Sequence, residues 1–184
     1  QLDPTVIIGG KVLSLGSNAQ LGQGDLLVAE ADESDGTFLL LSPTIAVVTN
    51  IDPEHLDYYG DMERVKAAYL EFINRVPFFG AAVLCLDNVT VRGLLPQARK
   101  RVITYGTSPD ADFVSHTITV QGMATHFDVT HHDQALGTLT VRMPGQHQAL
   151  NALAALAVAH QLNVPFTTVH HALTEFGGIH RRFE

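Results

Sequence analysis

Two short runs concentrate the side chains able to do chemistry. Leu26-Leu-Val-Ala-Glu-Ala-Asp-Glu-Ser-Asp35 sets four carboxylates, Glu30, Asp32, Glu33 and Asp35, within six residues directly after an apolar stretch. Mutual repulsion makes such a cluster costly unless a cation or bulk water reaches it. Ile45-Ala-Val-Val-Thr-Asn-Ile-Asp-Pro-Glu-His-Leu-Asp57 repeats the design, an apolar run that ends in Asn50, Asp52, Glu54, His55 and Asp57. Oxygen donors with a single imidazole suit Mg²⁺ or Mn²⁺ better than zinc, which takes more Cys or His. Either run alone reads equally well as a solvated acidic loop; two of them after consecutive strands favour a cation site. In Pro144-Gly-Gln-His-Gln-Ala-Leu-Asn151 a Gly turn opens a helix whose first turns carry His147, Gln148 and Asn151. Amide side chains there can pair with a purine edge, although capping also explains polar residues at a helix start. Gly177-Gly-Ile-His-Arg-Arg-Phe-Glu184 offers Arg181 and Arg182, able to clamp a phosphate or carboxylate, or simply to solvate a linker.

These residues need elements to position them. Leu26 to Ala29, Ile45 to Thr49, Ala82 to Leu86 and Val102 to Tyr105 are short, unalternating and rich in Val, Ile and Leu, as strands covered on both faces are. Between the second and third, Met62, Val65, Tyr69, Phe72 and Ile73 fall at helical spacing and predict a crossover helix over 61–74. A short helix follows at 89–95, ending near Pro96. Strand, helix, strand in sequence implies a parallel α/β sheet, and ligands of such sheets bind outside the carboxyl ends of the strands. If the first two strands are neighbours, the two acidic runs converge. After Gly106, residues 112–120, 124–130 and 136–143 alternate apolar and polar, predicting a small antiparallel sheet with one wet face. Helices follow from Gln146 and from Pro165, the second ending at Gly177-Gly178. The expected architecture is therefore α/β, a mostly parallel sheet flanked by helices with a small antiparallel β-sheet appendage.

Composition bounds what this fold can do. The chain has 184 residues, 46% apolar and 16% charged, with a formal charge of −8. That size supports one good core without a metal or disulfide. The basic residues are scattered apart from Arg99-Lys100-Arg101 and Arg181-Arg182, so no stripe tracks a nucleic-acid backbone. No apolar stretch approaches the roughly 18 to 20 residues of a membrane span. The single Cys85, in an apolar run, suits a buried thiol in a reducing, cytoplasmic compartment. The other histidines, including His131-His132 and His170-His171, lack partners at ligand spacing and read as surface residues. The chain opens without an initiator Met or a leader and reads as a piece of a longer protein.

Taken in order, the four motifs resemble those of the Mur ligases over the whole chain, and most closely those of the alanine-adding branch. The resemblance implies a three-domain, ATP-dependent enzyme of peptidoglycan synthesis whose central, P-loop-type domain binds ATP and Mg²⁺. Residues 1–184 match that central domain, with the UDP-sugar and amino-acid domains outside it and the phosphate-cradling loop preceding Gln1, since no Gly-x-x-x-x-Gly-Lys-Ser/Thr occurs in the sequence. UDP-N-acetylmuramate and L-alanine are the implied substrates, joined through an acyl phosphate. By motif position Glu30 and His55 match the family's magnesium ligands and Asn151 its adenine-binding Asn, with His147 and Gln148 beside it. Arg182 matches the catalytic, phosphate-contacting Arg, Asn50 is expected among the ATP-binding residues, and Asp52 stands with it behind the direct ligands. Two positions depart from the family pattern: Gln148 stands where Asn is expected, and Tyr69 where several sister ligases carry a carbamylated Lys, with Lys66 nearly one turn earlier. A muropeptide-recycling or folate-glutamate ligase is the nearest alternative, and a non-catalytic nucleotide-binding module the one of different class.

Overall fold

The structure is a computed structural model that describes residues 2–9 and 17–176. Three short strands come first: β1 (Thr5–Ile7), β2 (Ala19–Gln20) and β3 (Leu27–Ala29). They form their own sheet in the order β2-β1-β3, with β1 antiparallel to β2 and parallel to β3. The main sheet begins with β4 (Ile45–Val48), after which the chain makes α1 (Leu56–Tyr59) and the crossover helix α2 (Met62–Asn74) before returning as β5 (Ala81–Cys85). A second crossover, α3 (Val89–Leu94), leads to β6 (Val102–Gly106). Then come β7 (Phe113–Gln121), β8 (Ala124–His131), β9 (Gln134–Val141) and two helices, α4 (Gln146–Gln161) and α5 (Phe166–Glu175).

The six strands from β4 to β9 lie in sequence order, parallel from β4 to β7 and antiparallel from β7 to β9. The antiparallel strands are thus continuous with the parallel sheet. The pairs Tyr105↔Phe113 and Gly106↔Val114 splice them onto the parallel sheet. β3 and β4 are not the neighbours that the converging acidic runs suggested: they belong to different sheets. Alternation alone does not say how such strands attach, because a half-wet antiparallel strand reads the same whether its sheet is separate or continuous.

β5 is buried along its whole length, and its alternate residues feed two cores on opposite faces of the sheet. Ala81, Val83 and Cys85 face α4 and α5, packing with Tyr105, Phe127, Leu139, Leu153 and Leu156. Ala82 and Leu84 face α2 and α3, with Val48, Val65, Phe72 and Ile73. Asp61 starts α2 by accepting the Arg64 N–H at 2.9 Å, the usual role of Asp at an N-cap. Phe38 sits on α2 between Tyr69 and Phe72, with ring centroids 5.5 and 5.1 Å away. Cys85 is buried, and its thiol is pushed up chiefly by burial, so it stays protonated and unreactive. Among the described residues no helix is long and apolar enough to cross a membrane.

The histidines taken for scattered surface residues include a stacked group. His131, at the end of β8, lies over Phe113 at 4.2 Å and against His132 and His160 at 4.2 and 4.5 Å. Burial, then His132 and His160, hold the His131 pKa below its ordinary 6.5, with Asp112 opposing. An unfolded chain therefore binds a proton that the folded one refuses. Stability should be full above the ordinary value and decline as pH falls from 6.5 through the folded value. Urea midpoints measured at pH 8, 6.5 and 5 should show this slope, and His131→Gln should flatten it; an equal slope in the variant would place the proton elsewhere.

Candidate functional site

The acidic runs meet, but through loops rather than paired strands. β4 ends at Val48, and the chain continues through Thr49, Asn50 and Asp52 to Pro53, which biases the backbone before it toward extended geometry. His55 then turns in the left-handed region, φ 54°, and becomes the N-cap of α1. His tolerates that region better than most residues, but the conformation remains costly and uncommon. Across from it, the loop after β3 is tied down by Tyr59, whose hydroxyl donates to the Glu33 carbonyl oxygen.

The result is a three-residue cluster. Ligand atoms of Glu33, Glu54 and His55 all lie within 4.8 Å of one another, and His55 Nε2 is 3.5 Å from Glu33 Oε1. An octahedral hard ion with bonds of about 2.1 Å spans roughly 4 Å between opposite donors, so this group needs only small shifts to close on one. A pocket of about 30 Å³, lined by these three with Asn50, Asp52, Tyr59, Val65 and Tyr69, has room for about one ion or water. Beside it a cavity of about 180 Å³ runs over Ala31, Phe38, Val47, Thr49 and Phe72, sharing Glu33, Asn50 and Tyr69.

The surroundings set protonation states. Hydrogen bonds from the Ser34 side chain and N–H hold Asp32 below the usual carboxylate range, and Thr37 does the same for Asp35. Burial, reinforced by Glu33 and other nearby groups, raises the Tyr69 phenol far above its ordinary value, and burial and Tyr58 raise Tyr59. Both tyrosines therefore line the site as neutral O–H groups. Asn50 is already engaged, accepting from the Thr49 hydroxyl at 2.9 Å and donating to Asp52 at 2.8 Å.

The remaining residues singled out in the sequence are distributed unevenly. Glu30 follows β3, and its carboxylate accepts the Gly9 N–H rather than joining the His55 cluster. His147 and Asn151, one α4 turn apart, share an exposed face, whereas Gln148 turns inward and is only 8% exposed. Arg182 lies outside the described residues. Sequence reasoning named the acidic run around Glu33 without singling that residue out, and it missed the lining role of Tyr59 and Tyr69. Tyr69 was visible as one position of an apolar helical stripe and as a departure from the family pattern, and neither shows which stripe residues reach a rim.

The Mur ligase middle domain model matches residues 15–159. The UDP-N-acetylmuramate--L-alanine ligase of Sorangium cellulosum (strain So ce56) is 58% identical over 182 residues, covering 99% of this chain and 39% of that protein. The enzyme of the same name from Geobacter sp. (strain M21) is 56% identical, with 99% and 40% covered. The chain thus spans about two fifths of the length of these curated relatives. The crystal structure of UDP-N-acetylmuramate-alanine ligase from Thermotoga maritima superposes with a TM-score of 0.84 at 27% identity, over 100% of this chain and 40% of that one. With the family model covering most of its length and the same α/β fold in a solved relative, this chain belongs to the Mur ligase family.

Proposed function

We propose that the protein carrying this chain joins L-alanine to UDP-N-acetylmuramate at the expense of ATP, and that residues 1–184 are its nucleotide- and magnesium-holding middle domain. Support comes from relatives of that name that are more than half identical across nearly the whole chain. The observation that carries the reading is His55 gathered with Glu33 and Glu54 at the carboxyl end of β4. Two carboxylates and one imidazole are a donor set for a hard divalent ion, and no thiolate is among them. His55 and Glu30 would hold the magnesium, Glu30 exchanging its Gly9 hydrogen bond for the ion, with Glu33 and Glu54 adjoining. When bound, the ion neutralises phosphate charge, where most of the catalysis of phosphoryl transfer resides.

In the reaction a carboxylate oxygen of the sugar attacks the γ-phosphorus and ADP leaves. The alanine amine then attacks the acyl carbon, and phosphate departs from the tetrahedral adduct. This chain's part is to orient ATP: His147 and Asn151 present polar groups to the adenine edge, Arg182 meets the phosphates, and the neutral phenol of Tyr69 offers an O–H at the cavity rim. A cavity of about 180 Å³ falls below the roughly 300 to 1,000 Å³ of complete small-molecule pockets, so in this reading segments beyond this chain complete the site.

The test is phosphate release by the full-length protein with ATP, Mg²⁺, UDP-N-acetylmuramate and each amino acid in turn. Release should require L-alanine and the sugar together. Asn151→Ala should raise the KM for ATP by about 5- to 150-fold, the counterpart of roughly 1 to 3 kcal/mol for an unpaired polar edge. Activity with a peptide in place of alanine would move the assignment to a recycling ligase, and absence of any nucleotide binding would end it.

A further inference from the structure

Between β9 and α4 the chain must turn sharply, and the turn is held by a residue distant from it in sequence. Thr125, on β8, is fully buried at 0% exposure. Its hydroxyl donates to the Met143 carbonyl at 2.8 Å and accepts the Gly145 N–H at 3.0 Å. One hydroxyl therefore satisfies both sides of Pro144, which has no N–H of its own to contribute. Gly145 begins α4: its carbonyl accepts the N–H groups of Gln148 and Ala149 at 3.0 and 3.4 Å. No side chain caps the helix there. Gly145 adopts φ 122°, and a Cβ at this position would come within 2.6 Å of the His147 ring. The first turn of α4 thus takes its start, and with it the direction of the His147 and Asn151 side chains, from a point pinned by Thr125.

We propose that Thr125 is a positioning residue for nucleobase recognition, fixing the start of α4 so that His147 and Asn151 meet the base. The inference rests on the function proposed above, in which those two residues face adenine. Thr125 touches no substrate and acts only through the Met143–Gly145 turn. A buried threonine in an alternating strand otherwise reads as ordinary core, and Thr125 lies among neighbours that are apolar on this face, Phe127 and Val129.

Thr125→Val keeps the volume and the branched shape the strand favours while deleting both hydrogen bonds. In the full-length protein it should raise the Kd and KM for ATP about 10-fold, because the start of α4, no longer pinned, presents His147 and Asn151 out of register with the base. The kcat and the KM values for the other two substrates should stay within about 2- to 3-fold, the spread such a distant change leaves. Inorganic tripolyphosphate, used as a competitor, should bind wild type and variant alike, because it carries no base. Thr125→Ser, which keeps the hydroxyl, should restore ATP affinity. If Thr125→Val is unfolded at the assay temperature, Thr125→Cys, with only a weakly bonding thiol, carries the same test. A purely structural role predicts equal losses for ATP and tripolyphosphate, and that result, or unchanged ATP affinity in a folded variant, overturns the proposal. Wild-type protein that binds tripolyphosphate no less tightly than ATP would overturn the underlying base assignment, and this inference with it.

Discussion

Turnover by the 184-residue chain alone is expected to fall below detection. The sequence holds no Gly-x-x-x-x-Gly-Lys-Ser/Thr, so β- and γ-phosphates would find neither a backbone N–H cradle nor its Lys. The residues gathered at His55 enclose about 30 Å³, enough to hold an ion but not to align a triphosphate with an attacking carboxylate. Under the proposed function the sugar and the amine are bound outside this chain, which removes proximity as well. Orientation of reactants is worth about 7 to 11 kcal/mol and each lost electrostatic donor about 3 to 4 kcal/mol. Together these exceed about 10 kcal/mol, or roughly seven decades of rate. Phosphate release should be followed with ATP, Mg²⁺, UDP-N-acetylmuramate and L-alanine, beside the full-length protein. Substrate-dependent release by this chain at more than a trace of the full-length rate would require a different account of how the phosphates are held.

Leu84→Ala should cost about 3 to 5 kcal/mol of stability, the upper part of the range for buried leucines whose site cannot collapse. Leu84 is at 0% exposure on β5, and β5 is paired on both sides by β4 and β6, so the backbone around the cavity is held and relaxation is limited. Since small domains are stable by only about 5 to 15 kcal/mol, the variant should show a large drop in urea midpoint with little change in slope. The same change at Leu40, which is 81% exposed, should change the stability by less than about 0.5 kcal/mol. A small effect at Leu84 would mean that the face beneath α2 repacks freely.

The parallel strands, the crossover helix over 61–74 and the helices from Gln146 and Pro165 were legible because each rests on local periodicity and punctuation. β1 and β2 were not, since strands of three and two residues are too short to show a period. The position of β3 in a separate sheet was also hidden, because its exposed Leu27 and Val28 carry the same composition as a doubly covered strand. The acidic site was legible as chemistry but not as geometry. Glu30 and Glu33 differ by three residues in one run, and the contacts that separate them, the Gly9 N–H on the Glu30 carboxylate and the Tyr59 hydroxyl on the Glu33 carbonyl, come from distant parts of the chain. Thr125 gave no signal at all, because its partners lie at Met143 and Gly145, beyond an intervening strand.

The small β2-β1-β3 sheet buries none of its strand residues, which gives it a different place in the hierarchy of local openings from β5. Amide protons of Ile7, Val28 and Glu30 are therefore exposed to deuterium by fluctuations costing a small fraction of global unfolding, whereas those of Val83 and Leu84 exchange only when the whole sheet opens. Glu30 rides on the first population, whereas His55 caps the helix that follows β4, a strand paired with β5 of the second. A divalent ion that drew on both would have to quench the motion of one against the fixed frame of the other. The signature of its arrival would be slowed exchange at residues 7, 28 and 30, with the rates along β5 unmoved.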